Sequence, residues 1–151
     1  MEKTDPQELN EELALKLFVV LNRAQEAVQK QAAQDIKRYG LNLSEFAVLE
    51  LLYNKGEQPI QMIGKKVLLA SSSMTYVIDK LAKKEYLARR ACPNDRRVTY
   101  AHLTDQGMEL MKDIFPQHQA AMATIFASLT KEEKEMAITL IKKAGSFVDE
   151  Q

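Results

Sequence analysis

Ser71-Ser72-Ser73-Met74-Thr75-Tyr76-Val77-Ile78-Asp79-Lys80-Leu81-Ala82-Lys83-Lys84, then Leu87–Ala91, then Cys92-Pro93-Asn94-Asp95-Arg96-Arg97, then Val98–Leu103: this stretch decides the fold. Met74, Val77, Ile78 and Leu81 recur at i, i+3, i+4 and i+7, the spacing of one helix face turned to a core. The opposite face offers Ser72, Ser73, Thr75, Tyr76, Lys80 and Lys83. Leu87–Ala91 and Val98–Leu103 read as two strands, and the Pro93-Asn94-Asp95 segment between them supplies turn chemistry. The result is a short helix followed by a hairpin with Arg96 and Arg97 at its tip.

Working backwards, Pro59 suits the entry to a short helix at about Ile60–Val67, with Ile63 and Val67 on one side. Leu68-Leu69-Ala70 then forms the turn into the Ser71 helix, and two short helices joined this way make a helix-turn-helix. Before it, Ser44 is placed to cap a helix containing Phe46, Val48, Leu49, Leu51, Leu52 and Tyr53, apolar around much of its circumference and therefore central. Gly56 ends that helix. Residues 7–39 read as one long helix, with Leu9, Leu13, Leu17, Val20, Leu21, Ala24 and Val28 at helical spacing, stopped by Gly40.

Working forwards, Thr104 caps a long helix to about Ser128, in which Pro116 should introduce a kink. Thr130-Lys131-Glu132-Glu133 is a capping box for a last helix carrying Met136, Leu140, Ile141, Phe147 and Val148. The fold expected is mainly α with a small β-hairpin wing. It divides into an N-terminal helix (1–39), a winged helix-turn-helix (40–103) and C-terminal helices (104–151). The terminal helices hold more apolar surface than so small a core can cover. A second copy related by a two-fold axis is the simplest partner, and makes them dimerisation helices.

The formal net charge of the 151 residues is zero, but it is segregated. Residues 60–103 hold nine basic and three acidic side chains, a net of +6, which leaves −6 for the remainder. The cations therefore concentrate where a groove-sized helix and a wing are expected, and double-stranded DNA is the partner this suits. No apolar run approaches the ~18–20 residues of a membrane span, and the N-terminus is too polar for a secretory signal, so a cytoplasmic protein is expected. Nothing resembles a nucleophile–base pair or a phosphate loop. His102 and His118 stand apart with no ligand companions, so no metal, cofactor or enzymatic chemistry is expected.

The order of parts resembles the MarR family of bacterial winged-helix transcriptional regulators over nearly the whole chain. The match rests on Gly40-Leu41-Asn42-Leu43-Ser44-Glu45-Phe46-Ala47-Val48-Leu49, on Ser73-Met74-Thr75 with Asp79-Lys80-Leu81, and most specifically on Asp95-Arg96-Arg97 followed by Leu103-Thr104-Asp105-Gln106-Gly107. The resemblance implies a homodimer clasped by its terminal helices, binding a pseudo-palindromic operator, usually as a repressor. It also implies release by a small, often aromatic or phenolic, effector, or in some members by thiol oxidation.

For the residues this means the following. Ser72, Ser73, Thr75 and Tyr76 contact phosphates or base edges, unless Ser71 or Ser72 serves only to cap the helix. By resemblance, Arg97 enters the minor groove, Asp95 orients it, and Arg96 meets phosphate; the plainer alternative is an Asp95–Arg97 pair that stiffens the turn. Lys65, Lys66, Lys80, Lys83, Arg89 and Arg90 form a pool of phosphate contacts from which about half are expected to be used, and Gln61 is a further donor. An effector pocket is sought between dimer helices and winged lobe, with Phe18, Phe46, Tyr53 and Met111 as lining candidates. Two other readings stand beside this one. A winged helix can act as a protein-interaction module without DNA. Alternatively, Cys92, near Arg90 and Arg96, can act as a redox switch that changes only the signal.

Overall fold

The computed structural model describes residues 5–67 and 71–150, with the side chains of Ser71 and Ser72 outside the description. The proposed Ser71 or Ser72 cap, the Ser72 contact and the Leu68-Leu69-Ala70 turn therefore lie outside the described residues.

Helix α1 spans Pro6–Lys37. Asp5 caps it by accepting from the Gln7 N–H at 3.0 Å, and Pro6 sits in the first turn, where its missing N–H costs nothing. The helix stops two residues before the expected Tyr39, because residues 38–40 turn back on 35–37 and Gly40 adopts φ +73°. Helix α2 spans Leu43–Lys55. Its cap is Asn42 and not Ser44: Asn42 Oδ1 accepts from the Glu45 N–H at 2.8 Å, and Glu45 Oε1 accepts from the Asn42 N–H at 3.2 Å. Ser44 loses the role because only Asn42 has a carboxylate three residues on to complete the reciprocal pair.

A two-residue strand β1, Gln58–Pro59, precedes helix α3, Ile60–Lys66. Helix α4 spans Ser71–Lys83. Strands β2, Leu87–Ala91, and β3, Thr99–Leu103, pair antiparallel with Arg89 opposite Ala101, and β1 adds to the other edge of β3. Val98 sits in the turn instead of in β3, its carbonyl accepting from the Cys92 N–H and its own N–H donating to the Asp95 carbonyl. β1 is too short to leave a two-residue period in the sequence, so a hairpin was all the pattern could show.

Helix α5, Asp105–Ile125, is capped by Thr104, whose hydroxyl accepts from the Gly107 N–H and donates to the Glu85 carbonyl. It runs through Pro116 and ends before the expected Ser128. Helix α6, Lys131–Asp149, starts with the expected Thr130–Glu133 capping box. The core gathers Ile36, Leu41, Phe46, Leu49, Ile63, Ile78, Leu81, Leu87, Met111 and Ile114 around α2. By contrast, α1 buries only Ala32, Asp35 and Ile36, and α6 buries none of its residues. Leu13, Leu17, Phe18, Ile141 and Phe147 each remain more than half exposed. No helix among the described residues is long and apolar enough to cross a membrane.

Candidate nucleic-acid interface

Helix α4 turns Met74, Val77, Ile78 and Leu81 into the core, as its spacing requires, and leaves Ser73, Thr75 and Tyr76 on the outside. Its C-terminal end is fixed by ions. Glu45, 2 % exposed, receives Lys84 at 2.7 Å and lies 3.6 Å from Lys80, while Lys84 also donates to the Gly40 carbonyl at 3.2 Å. Burial pushes the Glu45 carboxyl up, but the hydrogen bonds from Lys84 and the Asn42 N–H outweigh it and hold the group below the usual carboxylate range.

The wing is tied at its base and open at its tip. At the base, Arg90 grips Glu57 with two hydrogen bonds of 2.5 and 3.0 Å and stacks 4.8 Å from the Tyr100 ring centroid. The pairing lowers the Glu57 carboxyl and raises the Arg90 guanidinium from their ordinary values. Arg89 pairs with Asp79 of α4, so the recognition helix and β2 are bridged. Lys66 donates to Gln58 at 2.7 Å. At the tip, Asp95 accepts from both the side chain and the backbone N–H of Arg97, at 3.2 and 3.0 Å, and these bonds hold its carboxyl below the usual range. The Arg97 side chain is still 90 % exposed, and the Asp95–Arg97 pair ties the turn on itself. Gln61 donates to the Arg97 carbonyl at 3.4 Å, which joins α3 to the wing and gives Gln61 a partner other than phosphate.

The phosphate-contact pool therefore divides. Lys65, Lys83 and Arg96 are exposed and make no ion pair among the described residues. Arg89, Arg90 and Lys80 each face a carboxylate. The partners Asp79, Glu57 and Glu45 carry no sequence signal, because each comes from a different element.

The effector candidates sit in different surroundings. Phe46 and Met111 are sealed in the core, Tyr53 packs on Phe115 with centroids 5.3 Å apart, and Phe18 stands 68 % exposed on α1. An open cleft of about 370 Å³ lies instead between α1 and α5, lined by Gln31, Gln34, Asp35, Arg38, Thr124 and Ile125. Sequence spacing gave no hint of it, nor of His118, Asp35 and Glu50, which meet beside it.

A buried-backed helix with a polar outer face, followed by a three-stranded wing with a cationic tip, defines a winged helix-turn-helix of the DNA-binding kind. Residues 41–99 match the family model described as the MarR family. The HTH-type transcriptional regulator MhqR of Bacillus subtilis is 52% identical over 134 residues, covering 89% of this chain and 92% of MhqR. The chain belongs to the MarR family, and it is a DNA-binding transcriptional regulator. The fold agrees. Sco3205 of Streptomyces coelicolor, solved in complex with DNA, superposes with a TM-score of 0.80 at 19% identity, covering 97% of this chain and 94% of that one. BpsR of Bordetella bronchiseptica, whose DNA binding is regulated by 6-hydroxynicotinic acid, superposes with a TM-score of 0.78 at 24% identity, covering 86% and 98%.

Proposed function

We propose that this chain acts in the cytoplasm as a homodimeric repressor that binds a pseudo-palindromic operator and is released by a small aromatic effector. The observation that carries the reading is the pairing of the outward Ser73-Thr75-Tyr76 face with an Arg97 whose guanidinium is steered by Asp95 and whose side chain stays 90 % exposed at the wing tip. The helix reads base edges and phosphates in the major groove, and the guanidinium enters the adjacent minor groove. Lys65, Lys83 and Arg96 contribute phosphate contacts. Thr75 and Ser73 offer hydroxyls, and neither Arg nor Asn stands at this end of the helix, so specificity rests on hydroxyls, bridging water and DNA shape.

The uncovered apolar surfaces of α1 and α6 support the dimer, with residues 1–39 and 104–151 as the clasp and 40–103 as the reading head. A two-fold dimer sets two recognition helices about one DNA turn apart, or a small multiple of it. An effector in the cleft between α1 and α5 would change that spacing by its preference for one arrangement of the clasp. Sco3205 was solved with DNA and BpsR responds to an aromatic acid, which supports both halves of the reading. The test is selection of random duplex DNA on the purified protein. Enrichment of a palindrome bound by a dimer is expected; no enriched sequence overturns the reading.

A further inference from the structure

His118 of α5 lies where three helices meet, with 13 % of its side chain exposed. Its Nδ1 faces Asp35 Oδ2 of α1 at 3.8 Å, and its Nε2 faces Glu50 Oε2 of α2 at 3.4 Å. Asp35 Oδ2 and His118 Nδ1 are both buried without a hydrogen-bond partner. The other Asp35 oxygen is occupied, by the Arg38 guanidinium and by the Tyr39 hydroxyl at 3.5 Å. The Phe46 and Phe115 rings, 4.4 and 6.3 Å from the imidazole, close the apolar side.

We propose that His118 is a proton-operated latch joining α1 and α5 to α2, through which operator affinity depends on pH. A neutral imidazole has one N–H: it can serve Asp35 or Glu50, and turns a lone pair toward the other carboxylate. The imidazolium donates from both nitrogens and serves both helices at once. Arg38 and the imidazolium share the single charge of Asp35, and Glu50 supplies the second, so two carboxylates balance two cations. Histidine ordinarily titrates between pH 5 and 8. The latch is complete while both ring nitrogens carry protons and is lost when one proton leaves. Helix α2 packs directly on α4, so the protonated latch fixes the recognition helix relative to α1 and α5. A dimer ordered in advance loses less freedom on seating both recognition helices, so its binding is tighter.

The DNA half of this proposal rests on the operator-binding reading above; the stability half does not. The experiment compares the full-length wild type with His118→Gln and Glu50→Gln. Thermal melting and operator binding are both measured at pH 6, 7 and 8 at constant ionic strength. His102, which also stands near a carboxylate, stays present in all three proteins and cancels. Wild type is expected to melt higher at pH 6 than at pH 8, and to bind operator roughly fivefold more tightly. Glu50→Gln should keep part of both effects, and His118→Gln only what His102 contributes to all three proteins. Identical melting profiles for wild type and His118→Gln overturn the latch. A melting difference with no difference in the operator profile, or tighter binding at pH 8, overturns its coupling to DNA. Absence of operator binding at every pH overturns the DNA reading, while melting still decides the latch.

Discussion

Lys84 Nζ donates to Glu45 Oε2 at 2.7 Å, joining the end of the recognition helix to the first turn of α2 across 39 residues of sequence. The carboxylate is almost wholly buried, and its second oxygen closes the Asn42 capping box. One side chain thus closes the cap of α2 and neutralises Lys84 just beyond α4.

Glu45→Ala should cost roughly 2–4 kcal/mol, below the full penalty for a broken buried pair because Lys84 keeps access to water. The pH dependence has a definite sign. Glu45 is held below the usual range in the folded state, so its stabilisation is full above the unfolded value of about 4.3 and is lost as pH falls through the folded value. Chemical denaturation between pH 7 and pH 3 checks this: Glu45→Gln should lose less stability on acidification than wild type.

Gly107 lies against the turn that leads into the wing. A Cβ there would sit 2.0 Å from the Tyr86 carbonyl oxygen, which already accepts from the Thr104 N–H at 3.1 Å. Backbone cannot swing aside as a side chain can, so Gly107→Ala should destabilise by roughly 2–4 kcal/mol. An unfolding midpoint equal to wild type would show that the turn has more slack than this geometry has.

Arg97 and Arg90 are both wing cations, and the structure separates them. Arg97→Ala should weaken operator binding about tenfold or more and reduce the salt slope by roughly one, with stability changed by no more than ~0.5 kcal/mol. Arg90→Ala should leave the salt slope nearly unchanged, because Arg90 is gripped at the wing base by two bonds to Glu57 and stacked on Tyr100, whereas Arg97, although paired with Asp95, stays 90 % exposed at the tip. A salt titration of the two variants beside wild type decides it; equal slopes for both would contradict the division drawn here.

Leu13 and Leu17 stand on the exposed stripe of α1, away from the core. The double substitution Leu13→Glu with Leu17→Glu should leave helical content intact and convert the dimer to monomer in sedimentation velocity. Operator affinity should then fall about 100-fold or more, since the second half-site is no longer held close by the first. A dimer that survives both charges would place the clasp elsewhere.

What was legible in the sequence was local. The apolar spacing of α4, the Thr130–Glu133 box, the Thr104 cap and the Asp95-Arg96-Arg97 tip depend on residues within a few positions of one another, and they stand where the pattern placed them. The Asn42 cap was misread for a local reason also: two polar residues competed, and only the hydrogen bonds to Glu45 chose between them. Tertiary structure alone decided the rest. Strand β1 exists because β3 offers a free edge to two residues with no period of their own. Which cations remain for DNA depends on carboxylates that arrive from other elements, Asp79 to Arg89, Glu57 to Arg90 and Glu45 to Lys84. The meeting of Asp35, Glu50 and His118 depends on the packing of three helices. A chain's own periodicity records which face is buried, and it holds no record of the charge that the fold brings to lie opposite.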